Sequence, residues 1–228
     1  MNINADFSER VVVHANSVPW VPSPMPGVDR RMLDRIGDEV ARATTIVRYA
    51  PGSAFSAHTH TGGEEYLVLD GVFQDEHGDF PVGTYVRNPP TSAHTPSAME
   101  GATILVKLWQ FDPEDRTQIT INTTSQTPVA VSGRQGVSEI PLFVDAHERV
   151  RIEIWSPGQT VEIAKHKGLE VLVIEGGFEE GGEAFSVNSW LRLPVDQSFN
   201  GVAGPDGARL WIKSDHLAAP PTAPSTGG

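Results

Sequence analysis

The sequence predicts an all-β protein built from two tandem copies of one β domain. Short runs rich in β-branched and aromatic residues, such as "ATTIVRYA" and "TILVKLWQF", are bounded by Pro, Gly, Asn and Asp turns. The chain contains 22 Gly and 18 Pro, which favours many short strands over long helices. A length of 228 residues suits one large β domain or two small ones, and an internal repeat decides for two.

The repeat is visible when "RYAPGSAFSAHTHTGGEEYLVLDGVF" (48–73) is placed over "IWSPGQTVEIAKHKGLEVLVIEGGF" (154–178). The match continues in residues 80–90 over 185–195 and in 101–109 over 207–215, with an offset of 105–106 residues throughout. Repeats of this size are domains rather than turns of a solenoid. We expect an N-terminal domain at 1–120 with a proline-rich arm, a C-terminal domain at 121–217, and a tail at 218–228 of disordered composition.

Within each copy the sequence predicts strands and hairpins. The segment "QDEHGDFP" (74–81) is predicted to be a hairpin tip between two strands. Apolar residues recur with a spacing near 3.6 residues only in "DRRMLDRIGDEV" (29–40), and we expect a short helix or a turn there.

Composition excludes several classes of function. A net charge of −12 and a pI near 5.0 disfavour binding to nucleic acid or to anionic membranes. No apolar run is long enough for a transmembrane helix, and the N-terminus lacks the layout of a signal peptide, so we expect a cytoplasmic protein. The chain has no cysteine, which excludes disulfides, Cys-ligated zinc and Cys nucleophiles.

One cluster of residues suggests chemistry. His58 and His60 are two apart on a strand and therefore face the same side, Glu64 follows a short turn, and His94 comes thirty residues later. Two histidines at a strand end are more often ordinary polar residues at a rim. Three imidazoles with one carboxylate, however, suit one divalent metal ion per chain, whose identity (Zn, Fe, Mn or Ni) the sequence leaves open. Four ligands leave open positions in a catalytic site and form a closed tetrahedron in a structural one.

The second copy tests this hypothesis. Three of the four positions become apolar there, as Ala164, Leu169 and Phe199, and only His60 keeps a counterpart, His166, which we interpret as an ordinary polar side chain. Residues that only build the fold are not expected to vanish as a set. Three other polar residues recur in both copies and are predicted to belong to the scaffold: Glu65 with Glu170, Arg87 with Arg192, and Lys107 with Lys213.

These residues carry a family resemblance. "PGSAFSAHTHTGGEEYLVLDG" resembles the first cupin motif at Gly52, His58, His60, Glu64 and Gly71, and "GTYVRNPPTSAH" resembles the second, which ends in His94. Thr91 stands where that second motif usually has glycine. More narrowly, residues 18–115 resemble the cupin domain of the ChrR anti-sigma factors and its relatives that are dioxygenases of small diketones and hydroxyacetophenones. The resemblance implies a jelly-roll (double-stranded β-helix) barrel with the metal inside, and a bicupin overall.

The resemblance leaves two functions open. The first is a metal-dependent oxidoreductase of the dioxygenase type, with a small-molecule ligand in the N-terminal barrel. The second is a non-catalytic, zinc-binding sensor like the ChrR cupin. ChrR proteins bind their sigma factor through a further domain with a His/Cys zinc motif, and this chain has no cysteine, so a sigma-factor partner is less expected than a homodimer. Catalytic residues are not identified, and the weak candidates for substrate binding are strand residues: Tyr66, Arg48, Arg87, Lys107 and Trp109.

Overall fold

A computed structural model describes residues 1–38 and 40–224, and the described chain is almost entirely β-structure. The all-β prediction is therefore confirmed. The strands are, in chain order, β1 (Asn2–Ile3), β2 (Val11–His14), β3 (Val21–Pro22), β4 (Val28–Gly37), β5 (Ala41–Tyr49), β6 (Ser53–Ala54), β7 (His58–Thr59), β8 (Glu64–Asp75), β9 (Gly78–Pro81), β10 (Thr84–Asn88), β11 (Ala93–His94), β12 (Ser97–Ala98), β13 (Ala102–Leu108), β14 (Ile119–Asn122), β15 (Val129–Ala130), β16 (Val137–Val144), β17 (Arg149–Trp155), β18 (Thr160–Ile163), β19 (Leu169–Glu180), β20 (Glu183–Ser186), β21 (Ser189–Leu193) and β22 (Phe199–Ser214), with one 3₁₀ turn at Ala15–Ser17.

The chain forms two compact units. The first contains Met1–Ala5, Pro19–Ser125 and the stretch from Thr222, and the second contains Asp6–Val18 and Gln126–Pro221. This division differs from the expected one at 1–120, because β2 near the N-terminus pairs with β21 of the second unit and β14 pairs with β10 of the first. Of the tail expected at 218–228, the last four residues lie outside the described chain.

The main sheet of the first unit has the order β1-β4-β5-β13-β8-β10-β14, and its neighbours are antiparallel. Its inner face encloses a core that includes Val47, Tyr66, Phe73 and Ile104. The main sheet of the second unit has the order β15-β16-β17-β22-β19-β21-β2 around a core that includes Trp155, Phe178 and Phe199.

The repeat is reproduced residue by residue in the strand register. Glu65 lies opposite Arg87 on one side and opposite Lys107 on the other. In the second unit Glu170 lies in the same way opposite Arg192 and Lys213. All six side chains are buried, which agrees with the prediction that these residues belong to the scaffold.

The short helix or turn expected at Asp29–Val40 is wrong, since Val28–Gly37 is strand β4, paired along most of β5. A β-bulge between Met32 and Asp34 shifts the register and buries the consecutive residues Leu33 and Asp34. The bulge breaks the two-residue alternation that identifies a strand, so the local pattern resembles a helical period. The hairpin expected at 74–81 is confirmed, because β8 and β9 meet across Glu76 and His77.

Candidate metal centre

The side chains of the two neighbouring glutamates in strand β8, Glu64 and Glu65, point to opposite faces of the sheet. Tyr66 and Val68 belong to the inner core, and Glu64 is on their face because side chains two residues apart point the same way. Glu65 points to the outer face, where it accepts a hydrogen bond from the Tyr85 hydroxyl at 2.7 Å. Both carboxylates are buried, yet only Glu64 lies on the side of the histidines.

A small two-stranded ladder brings the histidines together. In the pairing of β7 with β11, His58 lies directly opposite His94. The His60 backbone closes the turn, since its N–H donates to Ser92 O and its carbonyl accepts from the N–H of Thr91. Thr91 has φ of +75°, a left-handed conformation that glycine adopts without strain. The position where the second motif usually has glycine is thus structurally a glycine position that carries threonine here.

The four predicted ligands converge on one point. One ring nitrogen from each of His58, His60 and His94 lies within 4.8 Å of the others. Glu64 Oε2 lies 3.4 Å from His60 Nε2 and 3.7 Å from His94 Nε2. The spacing is close to that of ligands around one ion at bonds of about 2.1 Å.

The residues present fit a metal ion. His60 Nε2 and His94 Nε2 are buried and have no hydrogen-bond partner among the described residues. Buried polar nitrogens without partners are rare, and a bound cation would satisfy both at once. The histidine side chain of His58 is exposed, so this part of the cluster is open to solvent.

The electrostatics of the cluster favour a neutral imidazole at His60 and at His94. Burial, together with the neighbouring His58, lowers the pKa of His60 to about 4. Burial also lowers the pKa of His94, and it raises the pKa of Glu64. A neutral imidazole is the form that binds metal, and an incoming cation favours the ionised Glu64 carboxylate.

Supporting side chains hold the cluster in place, and sequence reasoning missed them. The Nδ1–H of His94 donates to Asp75 Oδ2 at 3.1 Å, which leaves Nε2 available to bind a metal ion. Asn88 Nδ2 donates to Glu64 Oε2 at 3.4 Å. Asn88 lies opposite Glu64 in the β8–β10 ladder, which a correct strand register would have revealed; nothing in the local sequence marks Asp75.

A pocket of about 390 Å³ opens above the cluster. Its lining is mostly apolar and aromatic, with His58, His60 and Glu64 at one side. The residues that line it are Ser23, Met25, Val28, Val40, Tyr49, Phe55, His58, Thr59, His60, Thr61, Gly62, Gly63, Glu64, Pro96, Leu108 and Trp109.

Of the five weak candidates for substrate binding, Trp109 lines this pocket, and its ring lies so close to Gly62 that a Cβ there would come within 2.1 Å of it. Tyr66 is buried in the aromatic core with its ring edge-on to Phe73, and it does not line the pocket. The other three are elsewhere: Arg48 is exposed and paired with Asp29, Arg87 is paired with Asp115, and Lys107 donates to Thr44.

The second unit has no comparable cluster among the described residues. Leu169 and Phe199, at the positions of Glu64 and His94, are fully buried members of its apolar core. Ala164 is exposed, and His166 is buried. The positions occupied by the histidines and Glu64 in the first unit are therefore largely occupied by packed apolar side chains in the second.

Comparisons with known proteins agree with this architecture. The sequence profile of the ChrR cupin-like domain matches residues 8–112, and no curated protein matches the sequence. A solved structure of a candidate dioxygenase from Nostoc punctiforme is similar with a TM-score of 0.78 at 16% identity, covering 97% of this chain and 88% of the other.

No described helix has the length and apolar character needed to cross a bilayer.

Two further solved structures are similar at 13% identity. The bacterial pirin YhhW from Escherichia coli, in complex with nickel(II), has a TM-score of 0.63 and covers 90% of this chain and 98% of its own. An oxalate decarboxylase has a TM-score of 0.61 and covers 90% of this chain and 76% of its own. At such identities the likeness concerns the fold.

Proposed function

Because the chain has the bicupin fold and its residues 8–112 match the ChrR cupin-like domain, we propose that it is a mononuclear metal enzyme of the dioxygenase type. The substrate would be a small organic molecule bound in the first barrel. The observation that carries the proposal is the convergence of three histidines and one carboxylate beneath an open pocket. A purely structural site would be closed on all sides.

The residues would act as follows. His58, His60, Glu64 and His94 would hold the ion, and Asp75 would orient His94 through its Nδ1–H. A divalent ion in this position supplies a Lewis acid for the oxygens of a bound substrate. Val28, Phe55 and Leu108 would exclude water from the bound molecule, because they present apolar surface to the pocket.

A second candidate function is a zinc-binding sensor without catalysis. The match of residues 8–112 to the ChrR cupin-like domain favours it, since that domain is named after a regulatory family. In this function the pocket would bind a signal molecule or the metal alone, and no turnover would occur.

Metal content and oxygen consumption separate the two. The protein is purified without chelators or nickel affinity resin, its metals are quantified, and oxygen uptake is recorded with the iron-loaded protein and a panel of small ketones. Iron or manganese at one ion per chain, with substrate-dependent oxygen uptake, supports the enzyme. One zinc ion per chain, with no oxygen uptake after exchange to iron, contradicts it and supports the sensor.

A further inference from the structure

The turn that joins His60 to Glu64 lies against the indole ring of Trp109. The Trp109 N–H donates to the carbonyl of Gly63 in this turn at 3.2 Å. A Cβ on Gly62 would come within 2.1 Å of the Trp109 ring, and its three nearest heavy atoms would all belong to that ring. The indole therefore occupies the space that a side chain at Gly62 would need, and it restricts the turn that spaces two of the proposed metal ligands.

The backbone of Trp109 has a conformation that tryptophan rarely adopts. Its φ is +58°, in the left-handed region, where a bulky side chain is an outlier. The equivalent residue of the second unit is Asp215, with φ of +74°, and aspartate tolerates this region better. The left-handed backbone thus belongs to the repeated fold, whereas a tryptophan side chain on it is particular to the first unit and adds strain there.

The neighbouring residue Phe111 makes a contact that both units share. A Cβ on Gly63 would come within 2.5 Å of the Phe111 ring. In the second unit, a Cβ on Gly168 would come within 2.4 Å of Leu217, which stands at the position of Phe111. An apolar side chain against this glycine therefore occurs both with and without the histidine cluster, and we assign the contact to the scaffold.

The contact between Gly62 and Trp109 has no counterpart in the described part of the second unit. The overlay of the two copies leaves one residue of the first unmatched in this turn, where residues 61–63 face residues 167–168. At the same place Asp215 stands instead of the indole. The extra glycine and the tryptophan are thus missing together from the copy that also lacks three of the four proposed ligands, as expected of a pair that serves the metal site.

We propose that Trp109 is a positioning residue of the metal centre. Its indole holds the turn at Gly62 so that His60 Nε2 and Glu64 Oε2 lie 3.4 Å apart, close enough to share one ion. The inference rests on the proposed function through its metal site, and it adds a residue that acts on the ion through the turn rather than by contact. The strained backbone agrees with this role, because strain persists where the surrounding structure over-determines it.

Zinc affinity, measured by chelator competition, tests this role. Trp109→Asn removes the ring and supplies a residue that tolerates the left-handed backbone. We expect it to lower zinc affinity about 10- to 100-fold, as for other residues that orient metal ligands. Trp109→Phe keeps an aromatic ring at the turn and should recover most of that loss. Phe111→Leu, which copies Leu217, is the matched control and should leave zinc affinity unchanged.

A second variant separates positioning from a general loss of packing. Gly62 is not among the glycines with positive φ, so Gly62→Ala adds no backbone strain and its methyl group meets the Trp109 ring. We expect Gly62→Ala alone to lower zinc affinity about 10- to 100-fold. In the Trp109→Asn background, where the ring is gone, the same substitution should change affinity by no more than about twofold. Gly62→Ala retains the indole, so it tests the inference even if Trp109→Asn does not fold.

The visible absorption of the cobalt(II)-loaded protein gives an independent readout, because it reports the ligand geometry around the ion. Trp109→Asn and Gly62→Ala should change this spectrum, and Phe111→Leu should not. A residue that only stabilises the fold would lower the midpoint of urea unfolding and leave the spectrum of the folded protein unchanged.

The outcomes separate this inference from the proposed function. Unchanged zinc affinity in Trp109→Asn overturns the inference, as does an equal loss in Phe111→Leu or a full effect of Gly62→Ala in the absence of the ring. Failure of the unsubstituted protein to bind zinc overturns both. The expected losses of zinc affinity, with no oxygen uptake by the iron-loaded protein, overturn the proposed enzyme and leave the inference standing.

Discussion

Replacing each of the two adjacent glutamates of β8 with glutamine should affect a different property: Glu65→Gln should lower stability, and Glu64→Gln should lower metal affinity. Glu65→Gln removes a buried carboxylate that lies opposite Arg87 and Lys107 and accepts the Tyr85 hydroxyl. Breaking a buried ionic network by removing one partner costs about 3–5 kcal/mol. Because Arg87 keeps Asp115 at 2.7 Å, we expect the lower end, about 3 kcal/mol, which is a large share of a typical domain stability.

Glu64→Gln should leave stability nearly unchanged and weaken metal binding. Burial raises the pKa of Glu64, so its ionised form is unfavourable in the metal-free protein and a neutral amide of the same shape costs nothing further. Loss of a supporting residue around a metal typically lowers affinity about 10- to 100-fold, and loss of a direct ligand should lower it by at least as much.

The assay combines urea unfolding of the metal-free protein with competition against a chromophoric chelator for zinc. Glu170→Gln is the matched control, because it disrupts the equivalent network of the second unit and removes the partner of His216 at 2.7 Å. It should destabilise the protein without changing metal affinity. The reasoning is refuted if the free energy of unfolding of Glu65→Gln lies within about 1 kcal/mol of that of the unsubstituted protein. It is also refuted if Glu65→Gln loses more metal affinity than Glu64→Gln.

Asp75→Asn should weaken zinc binding about 10- to 100-fold, because it replaces the charged acceptor of the His94 Nδ1–H with a neutral amide that can also present its NH₂ group to the ring. Chelator competition measures the effect, and unchanged affinity would contradict an orienting role. In the metal-free protein, the contribution of His60 to stability is complete above pH 6.5, where the imidazole is neutral in both the folded and the unfolded chain. Below pH 6.5 the unfolded chain takes up a proton, while folded His60, with its pKa lowered to about 4, stays neutral. This contribution falls by up to about 3 kcal/mol towards pH 4, and urea titrations at several pH values should show a flatter profile for His60→Gln. Gly71→Ala and Gly176→Ala should each cost about 2–5 kcal/mol, because both residues have positive φ and a Cβ there would come within 2.1 Å of a carbonyl oxygen. Gly52→Ala, with equal backbone strain but no atom within 4 Å, should cost about 1–2 kcal/mol in the same thermal unfolding series, and equal losses at all three positions would contradict the steric argument.

Much of the fold was predictable because the repeat is an internal alignment. Glu65 lies opposite Arg87, and its counterpart Glu170 lies opposite Arg192. The two copies therefore gave independent indications of the same strand register. The prediction failed at β4, where a bulge buries Leu33 and Asp34 in succession and no second copy corrects the interpretation. It also placed β2 with the first domain, because the pairing of Val11–His14 with β21 depends on residues far away in sequence.

The sequence by itself determined the all-β class, the two copies, and the difference between Glu64 and Glu65, since strand alternation and the losses at Leu169 and Phe199 are both written in the chain. Only the tertiary structure decided that His58 lies opposite His94, that Asp75 supports His94, and that none of the described residues lining the pocket is Lys or Arg. The physical reason is that local patterns specify which face a side chain takes. Which groups meet across that face depends on strand pairings between residues that are tens of positions apart.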